Sequence, residues 1–373
     1  MTATITVRQA LAWRMRRHLL DPIGPVRLDE VVRRLCGVQA QVPSAVELAT
    51  RVRRERSWPG DVRRALASGR LIRTWAMRGT IHLLTPEEGG AFLSLMAAGR
   101  SWEQPSWQRA FGMGTKEWDL FRLAVSDALA SGPLTREELV AAIVRHRGLS
   151  HVGDALRSSW GTLLKPLAWQ GDLCFGPSRG TRTTFQRPQD ASERWTGVPE
   201  PEQAAPTAIA SYLRAYGPAT TDNFRNWLSR GRIGRRMLRA WFAELGDRLA
   251  TVDVEGRTAH VLTEDLDELL RSEPGRIVRL LPGFDQYVLG PGTEDIQVVP
   301  AGHRGDVSRA AGWIAPVVVA DGVVAGTWEL DGDDVRVAWF ADAGRPPRAA
   351  VLAEVERLAG ILDRPLRGVI SAG

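Results

Sequence analysis

Gln39 and Gln41 stand either side of one small residue, Ala40, in the stretch CGVQAQVPS, residues 36–44. Glutamine carries no charge and does not titrate, so any chemistry here is done by dipoles. Two side-by-side amides offer two carbonyl acceptors and two NH2 donors. That is enough to hold and orient one water molecule. It is not enough to deprotonate the water strongly or to protonate a leaving group. Such a pair suits a reaction whose leaving group is already activated. An N-alkylated purine nucleotide is one: N3 or N7 alkylation makes the base cationic, and its glycosidic bond breaks dissociatively to an oxocarbenium-like sugar. The site need only place water at C1′ and face carbonyl dipoles toward the developing positive charge. Neutral damaged bases, which want a general acid, would be poor substrates.

The backbone must hold both amides on one side. LDEVVRRLCG reads as a helix ending near Gly37, and Pro43 fits the first turn of the next, VPSAVELATRVRRE. The residue before a proline is pushed toward extended geometry. In an extended segment side chains i and i+2 share a side, which turns Val38, Ala40 and Val42 into the protein. On a continuous helix the two glutamines would lie about 200° apart.

Other candidate chemistry is thin. Lys116 and Lys165 are the only lysines, and neither has the setting of a Schiff-base nucleophile, so a monofunctional hydrolase without a lyase step is expected. Glu47, one turn into the next helix, either orients Gln41 or is an N-terminal helix charge. Asp285, in LPGFDQY, reads as a structural carboxylate on the backbone amides of the preceding turn. Trp75 reads as core. GPSRGTR lacks the Lys-Ser/Thr of a phosphate loop and GRIGRR lacks a preceding strand. Six scattered histidines give no metal-ligand spacing, so neither a metal nor a cofactor is expected.

Three stretches look alike: GPVRLDEVVRRL (24–35), GPLTREELVAAI (132–143) and GPATTDNFRNWL (217–228). Gly-Pro ends the preceding element, and Asp29, Thr135 or Thr220/Thr221 can cap the helix that follows. Each leads on to a basic hairpin, at 70–84, 171–185 and 248–262, with Arg and Gly in its turn. Helix, turn, helix and two-stranded wing is the winged-helix plan. The expected architecture is α+β: winged-helix units at 1–110, 111–190 and 207–275, a Pro/Glu/Gln-rich linker or loop at 191–206, and a small antiparallel β-rich domain at 276–373 with a C-terminal helix. Asp321-Gly322 and Asp331-Gly332 mark hairpins in that last part.

Charge is divided along the chain. Residues 1–250 hold 37 Lys+Arg against 23 Asp+Glu, net +14, and residues 251–373 hold 12 against 20, net −8. A basic N-terminal two-thirds points to a polyanion, most often nucleic acid. Candidate phosphate contacts are Arg51 and Arg54 after the glutamines, Arg78 and His82 in the first wing, Arg179 and Arg182 in the second, and Arg232, Arg235 and Arg236 in the third unit. For His82, on an apolar strand, a packed histidine is the alternative. Cys36 and Cys174 sit in no CxxC and read as small buried residues of a reduced compartment. No apolar run nears the roughly 18 residues of a membrane span. A cytoplasmic, nucleoid-associated monomer acting on double-stranded DNA, with no membrane and no obligatory protein partner, is the expectation. A non-enzymatic winged-helix DNA-binding regulator explains charge and repeats equally well; the glutamine pair separates the two.

The chain resembles the winged-helix DNA glycosylases of the AlkZ/YcaQ type. The similarity covers almost its whole length, through GVQAQ, TWAMRGTIHLL, LLPGFDQYVLG and DGVVAGTW. The family motif is Gln, an aliphatic residue, then Gln in the AlkZ branch and Asp in the YcaQ branch. Gln39-Ala40-Gln41 matches the AlkZ version, with Ala40 smaller than usual. The resemblance implies that Gln39 and Gln41 are catalytic and that tandem winged helices frame a basic concave surface for duplex DNA. It also implies excision of N-alkylated purines and, as in several relatives, unhooking of interstrand crosslinks or removal of bulky natural-product adducts, with housekeeping repair and self-resistance both open.

Overall fold

The computed structural model describes residues 3–158 and 161–372. Its elements follow the sequence signals closely. Helix Arg136–Ile143 starts where Thr135 Oγ1 accepts from the Glu138 amide and Glu138 reaches back to the Thr135 amide, a reciprocal cap. Thr220 caps Thr221–Ser229 by accepting from the Asn223 amide at 3.1 Å. The first repeat differs. Its helix, Leu28–Arg34, begins one residue before Asp29 and has no side-chain cap. Asp29 lies within the first turn and accepts from Arg27 Nε instead.

Each repeat delivers its hairpin: Ile72–Trp75 with Ile81–Leu84, Cys174–Phe175 with Thr184–Gln186, and Leu249–Val254 with Arg257–Leu262. Helix Pro201–Tyr216 starts inside the stretch expected to be a linker. Pro201 is tolerated as its first residue, whereas Pro206 lies inside the helix.

The contacts divide the chain into two compact units. One comprises Met1–Val62, Ile209–Trp227 and Leu245–Gly373; the other comprises Arg63–Ala208 and Leu228–Glu244.

In the first unit, a sheet orders Val278–Leu281, Val317–Ala320, Val323–Asp331, Asp334–Trp339 and Arg367–Ala372. Asp321 and Gly322, both at positive φ (52° and 88°), make its first tight turn. The second turn is shifted by one from the expected dipeptide: Asp331 pairs with Asp334, and Gly332 begins the two-residue loop. Helix Arg348–Leu362 buries Val351, Val355 and Leu358 against this sheet. The last strand is parallel to its neighbour Asp334–Trp339, an addition the sequence reading lacked. Ala3–Ile5 likewise adds a parallel strand beside Leu249–Val254.

In the second unit, strand neighbours run Ile81–Leu84, Ile72–Trp75, Cys174–Phe175, Thr184–Gln186 and Leu134–Thr135. Trp75 is core: its ring packs on Phe175 and Phe185. Both cysteines are buried and unbridged. Among the described residues no helix is long and apolar enough to cross a membrane.

Candidate active site

Helix Leu28–Arg34 stops at Leu35, and the chain reverses through Cys36 and Gly37, both at positive φ (53° and 93°). Gly37 adopts its angle without a Cβ penalty. Its amide donates to Val32 O at 2.9 Å, closing the helix end. Val38–Gln39 is a short strand, and Val42 is still extended before Pro43 opens helix Pro43–Arg51. The segment is extended where the proline demanded it. Val38 and Ala40 are buried, and Val42 is half-buried.

The two glutamines lie on one side and touch. Gln39 Nε2 donates to Gln41 Oε1 at 2.8 Å. Gln39 is 7 % exposed, whereas Gln41 faces solvent. Among the described residues no other hydrogen bond takes up the Gln39 carbonyl or the Gln41 NH2. The pair thus presents one acceptor from a buried, held side chain and one donor group from an exposed one.

A buried scaffold holds the chain that enters this segment. Tyr216 Oη donates to Leu35 O at 2.6 Å, four residues before Gln39. His18 sits edge-on to the rings of both Tyr216 and Tyr287. Gly290 leaves the room Tyr216 needs: a methyl there would lie 1.8 Å from a Tyr216 ring carbon. Burial, then Arg53 and Arg14, keep His18 well below its ordinary pKa and therefore neutral at pH 7. Its Nε2 then donates to Ala215 O, 3.0 Å away, the proton being assigned from the acceptor it faces.

Arg53 and Asp285 form a fully buried bidentate pair at 2.6 and 2.8 Å. Asp285 also accepts from the Tyr287 amide at 2.8 Å, capping Gln286–Leu289. Its role is structural as expected, although the amide it binds follows it rather than precedes it. Glu47 does not orient Gln41. Its carboxylate accepts from the Asp61 and Val62 amides at 3.1 and 3.3 Å, at the start of helix Asp61–Ala67.

The expected phosphate contacts divide sharply. Arg51 is 7 % exposed and donates to Ile361 O and Ser57 Oγ. Arg54 is 8 % exposed and binds Asp61. Both are internal cations, because the run RVRRER straddles a helix end and turns these members inward. His82 is wholly buried, with Nδ1 3.0 Å from Thr80 O. Burial first, then Arg78, lowers its pKa to about 3, so it stays neutral and offers nothing to a phosphate. Arg179 is exposed but binds Glu138 and Pro133 O. Arg78 is half-buried in the first wing's turn, at φ 58°. Arg182, Arg232, Arg235 and Arg236 are exposed, the last two opening helix Arg235–Ala243. The positions that sequence reasoning missed are Tyr216, His18 and Gly290, whose link to the glutamine segment spans up to 181 residues between Leu35 and Tyr216.

The family model for AlkZ-like DNA glycosylases matches residues 32–361. The chain belongs to the AlkZ-like DNA glycosylase family. It is 48 % identical over 364 residues to the interstrand DNA cross-link repair glycosylase of Streptomyces sahachiroi, covering 96 % of this chain and 98 % of that one. Among solved structures it matches the S. sahachiroi DNA glycosylase AlkZ with a TM-score of 0.95 and 47 % identity, over 99 % of this chain and 100 % of the other. Membership in an AlkZ-like family makes the chain a DNA glycosylase, an enzyme acting on DNA, and sets aside the non-enzymatic regulator.

Proposed function

We propose that this glycosylase hydrolyses the N-glycosidic bond of N3- or N7-alkylated purines in double-stranded DNA, with Gln39 and Gln41 holding the attacking water. The observation that carries the reading is the 2.8 Å bond between the two amides. It fixes their mutual orientation and leaves a carbonyl and an NH2 group to grip one water from two sides. In the reaction, the C1′–N bond breaks and its electron pair neutralises the cationic base, which departs. The water oxygen bonds to C1′ and its surplus proton passes to solvent. The Gln39 carbonyl faces the positive charge on the sugar, and this preorganised dipole is stronger in a buried side chain than in open water. No general acid is needed, and neither amide supplies one.

The name of the S. sahachiroi relative supports interstrand crosslinks as substrates, since a crosslink through N7 makes both bases cationic. Arg182, Arg232, Arg235 and Arg236 are the arginines proposed to contact backbone phosphates, within the second and third winged-helix units read from the sequence. Incubation with a duplex carrying N7-methylguanine, followed by alkali, tests the reading. Strand breaks above the spontaneous rate are expected. Their absence, with DNA binding intact, would overturn it; a panel of N7-linked crosslinked duplexes then defines the range.

A further inference from the structure

Lys165 opens the short helix Lys165–Trp169 and is half-buried. Among the described residues no hydrogen bond or ion pair takes up its ammonium, and none takes up the side chains of Arg230 or Arg232. Burial, then Arg230, then Arg232 press its pKa downward, and no carboxylate offsets them. Arg230 and Arg232 thus act on the Lys165 ammonium from nearby, and among the described residues none of the three has an anionic partner, although a half-buried charge ordinarily has one.

Two turns define the place. The first wing's turn, Arg78 and Gly79, has φ of 58° and 70°. A methyl group on Gly79 would lie 3.9 Å from Lys165 Nζ and 3.7 Å from its Cδ, so the ammonium sits against that turn. Trp169 walls the same spot at 3.8 Å. The second turn, Arg230 and Gly231, has φ of 53° and 75°. It is fixed by the Arg232 amide on Ser229 O and the Ile233 amide on Ser229 Oγ. A left-handed arginine beside a left-handed glycine is a costly backbone, and such strain is held where the surroundings over-determine it. All of these residues belong to one compact unit.

We propose that Lys165, Arg230 and Arg232 clamp a single backbone phosphate of the DNA substrate against the turn of the first wing. The clamp rests on the reading of this protein as an enzyme of duplex DNA. It gives Lys165 a binding role rather than a nucleophilic one. A phosphate oxygen accepts from Nζ and from the two guanidiniums, and its negative charge relieves their mutual repulsion. The remaining arginines then distribute charge along the duplex, while this triad sets one fixed register point.

The chain's two lysines make the test direct. Amine acylation by a succinimidyl ester, read by peptide mass, labels Lys165 and the exposed Lys116 in one experiment. Saturating unmodified duplex should protect Lys165 at least about tenfold while leaving Lys116 labelled. Lys165→Met should lower affinity roughly 3- to 10-fold near 100 mM salt and reduce the salt slope by about 0.9, the loss of one phosphate contact. Lys165→Arg should restore both, and Arg232→Gln should reproduce the loss if Lys165→Met misfolds. Equal labelling with and without duplex, or an unchanged slope in both Lys165→Met and Arg232→Gln, would overturn the clamp. Binding of unmodified duplex is read apart from base release, so failed excision with intact protection would sink the proposed reaction alone.

Discussion

Gln39 donates its side-chain NH2 to the carbonyl of Gln41 at 2.8 Å, and that one bond couples the two amides, so that the end one turns outward sets the end the other does. A flip of either amide would break it or set like groups together. The exposed Gln41 is thereby held by the buried Gln39.

Removing either amide should cost chemistry rather than binding. Gln39→Ala and Gln41→Ala should each slow single-turnover release of N7-methylguanine by roughly 10- to 1000-fold, the range for losing an oriented water or dipole. Duplex affinity should change less than about twofold. Because the two act as a unit, the double variant should be little slower than the worse single one. An additive loss would show that they work independently.

Tyr216→Phe removes the hydroxyl on Leu35 O, a net loss of about 0.5–1.5 kcal/mol in stability by chemical denaturation. Gly290→Ala drives a methyl into the Tyr216 ring and should be the more damaging change. Both should lower the rate of base release more than duplex affinity, because they displace the chain entering the glutamine segment. Equal losses in rate and affinity would argue against that route.

Breaking the buried pair from one side should be severe. Asp285→Ala leaves Arg53 charged and enclosed and should cost on the order of 3–5 kcal/mol. Arg53→Met with Asp285→Leu should cost less than Asp285→Ala alone. Denaturation midpoints of Arg53→Met, Asp285→Leu and the double would measure the coupling.

Arg235→Ala should weaken duplex binding across all sequences and flatten its salt dependence by about one contact. Arg51→Ala should instead lower stability through the lost Ile361 and Ser57 bonds, with the salt slope unchanged. Parallel binding isotherms at several salt concentrations separate the two.

His82 titrates near 3 in the folded state and about 6.5 when unfolded. The unfolded chain therefore takes up the proton first. Stability should be unaffected by this group above about pH 6.5 and should fall as pH drops below it, by up to roughly 1.4 kcal/mol per pH unit. His18 acts in the same direction. His82→Gln should flatten the decline between about pH 6.5 and 5, before carboxylates join in. An unchanged slope in denaturation midpoints across that window would show that His82 is not held neutral.

Local signals carried what was legible in the sequence. The proline at 43 dictated extended backbone before it, and that placed Gln39 and Gln41 together. Thr135 and Thr220 announced their helices, and Asp321-Gly322 announced its hairpin. What escaped was either distant or inward. Nothing near Leu35 points to Tyr216, and nothing near Arg53 points to Asp285, since both contacts close across about half the chain or more. Arg51, Arg54 and His82 were misplaced for a second reason. Charge invites a surface assignment, but a long side chain can turn inward wherever carbonyls or carboxylates meet it, as Ile361 and Asp61 do. The strand alternation that made His82 ambiguous is decided by packing alone.

The hydroxyl of Tyr216 on Leu35 has a consequence for dissection. A fragment that stops before residue 216 would contain both glutamines and the helix leading to them, yet would lack the strut that fixes their approach. Such a piece should not be a small autonomous enzyme. The reactive segment is written in a few neighbouring letters, but it is braced from the far side of the gene, so deletion mapping would merge the loss of this brace with the loss of the arginines that follow it, and only Tyr216→Phe would separate the two.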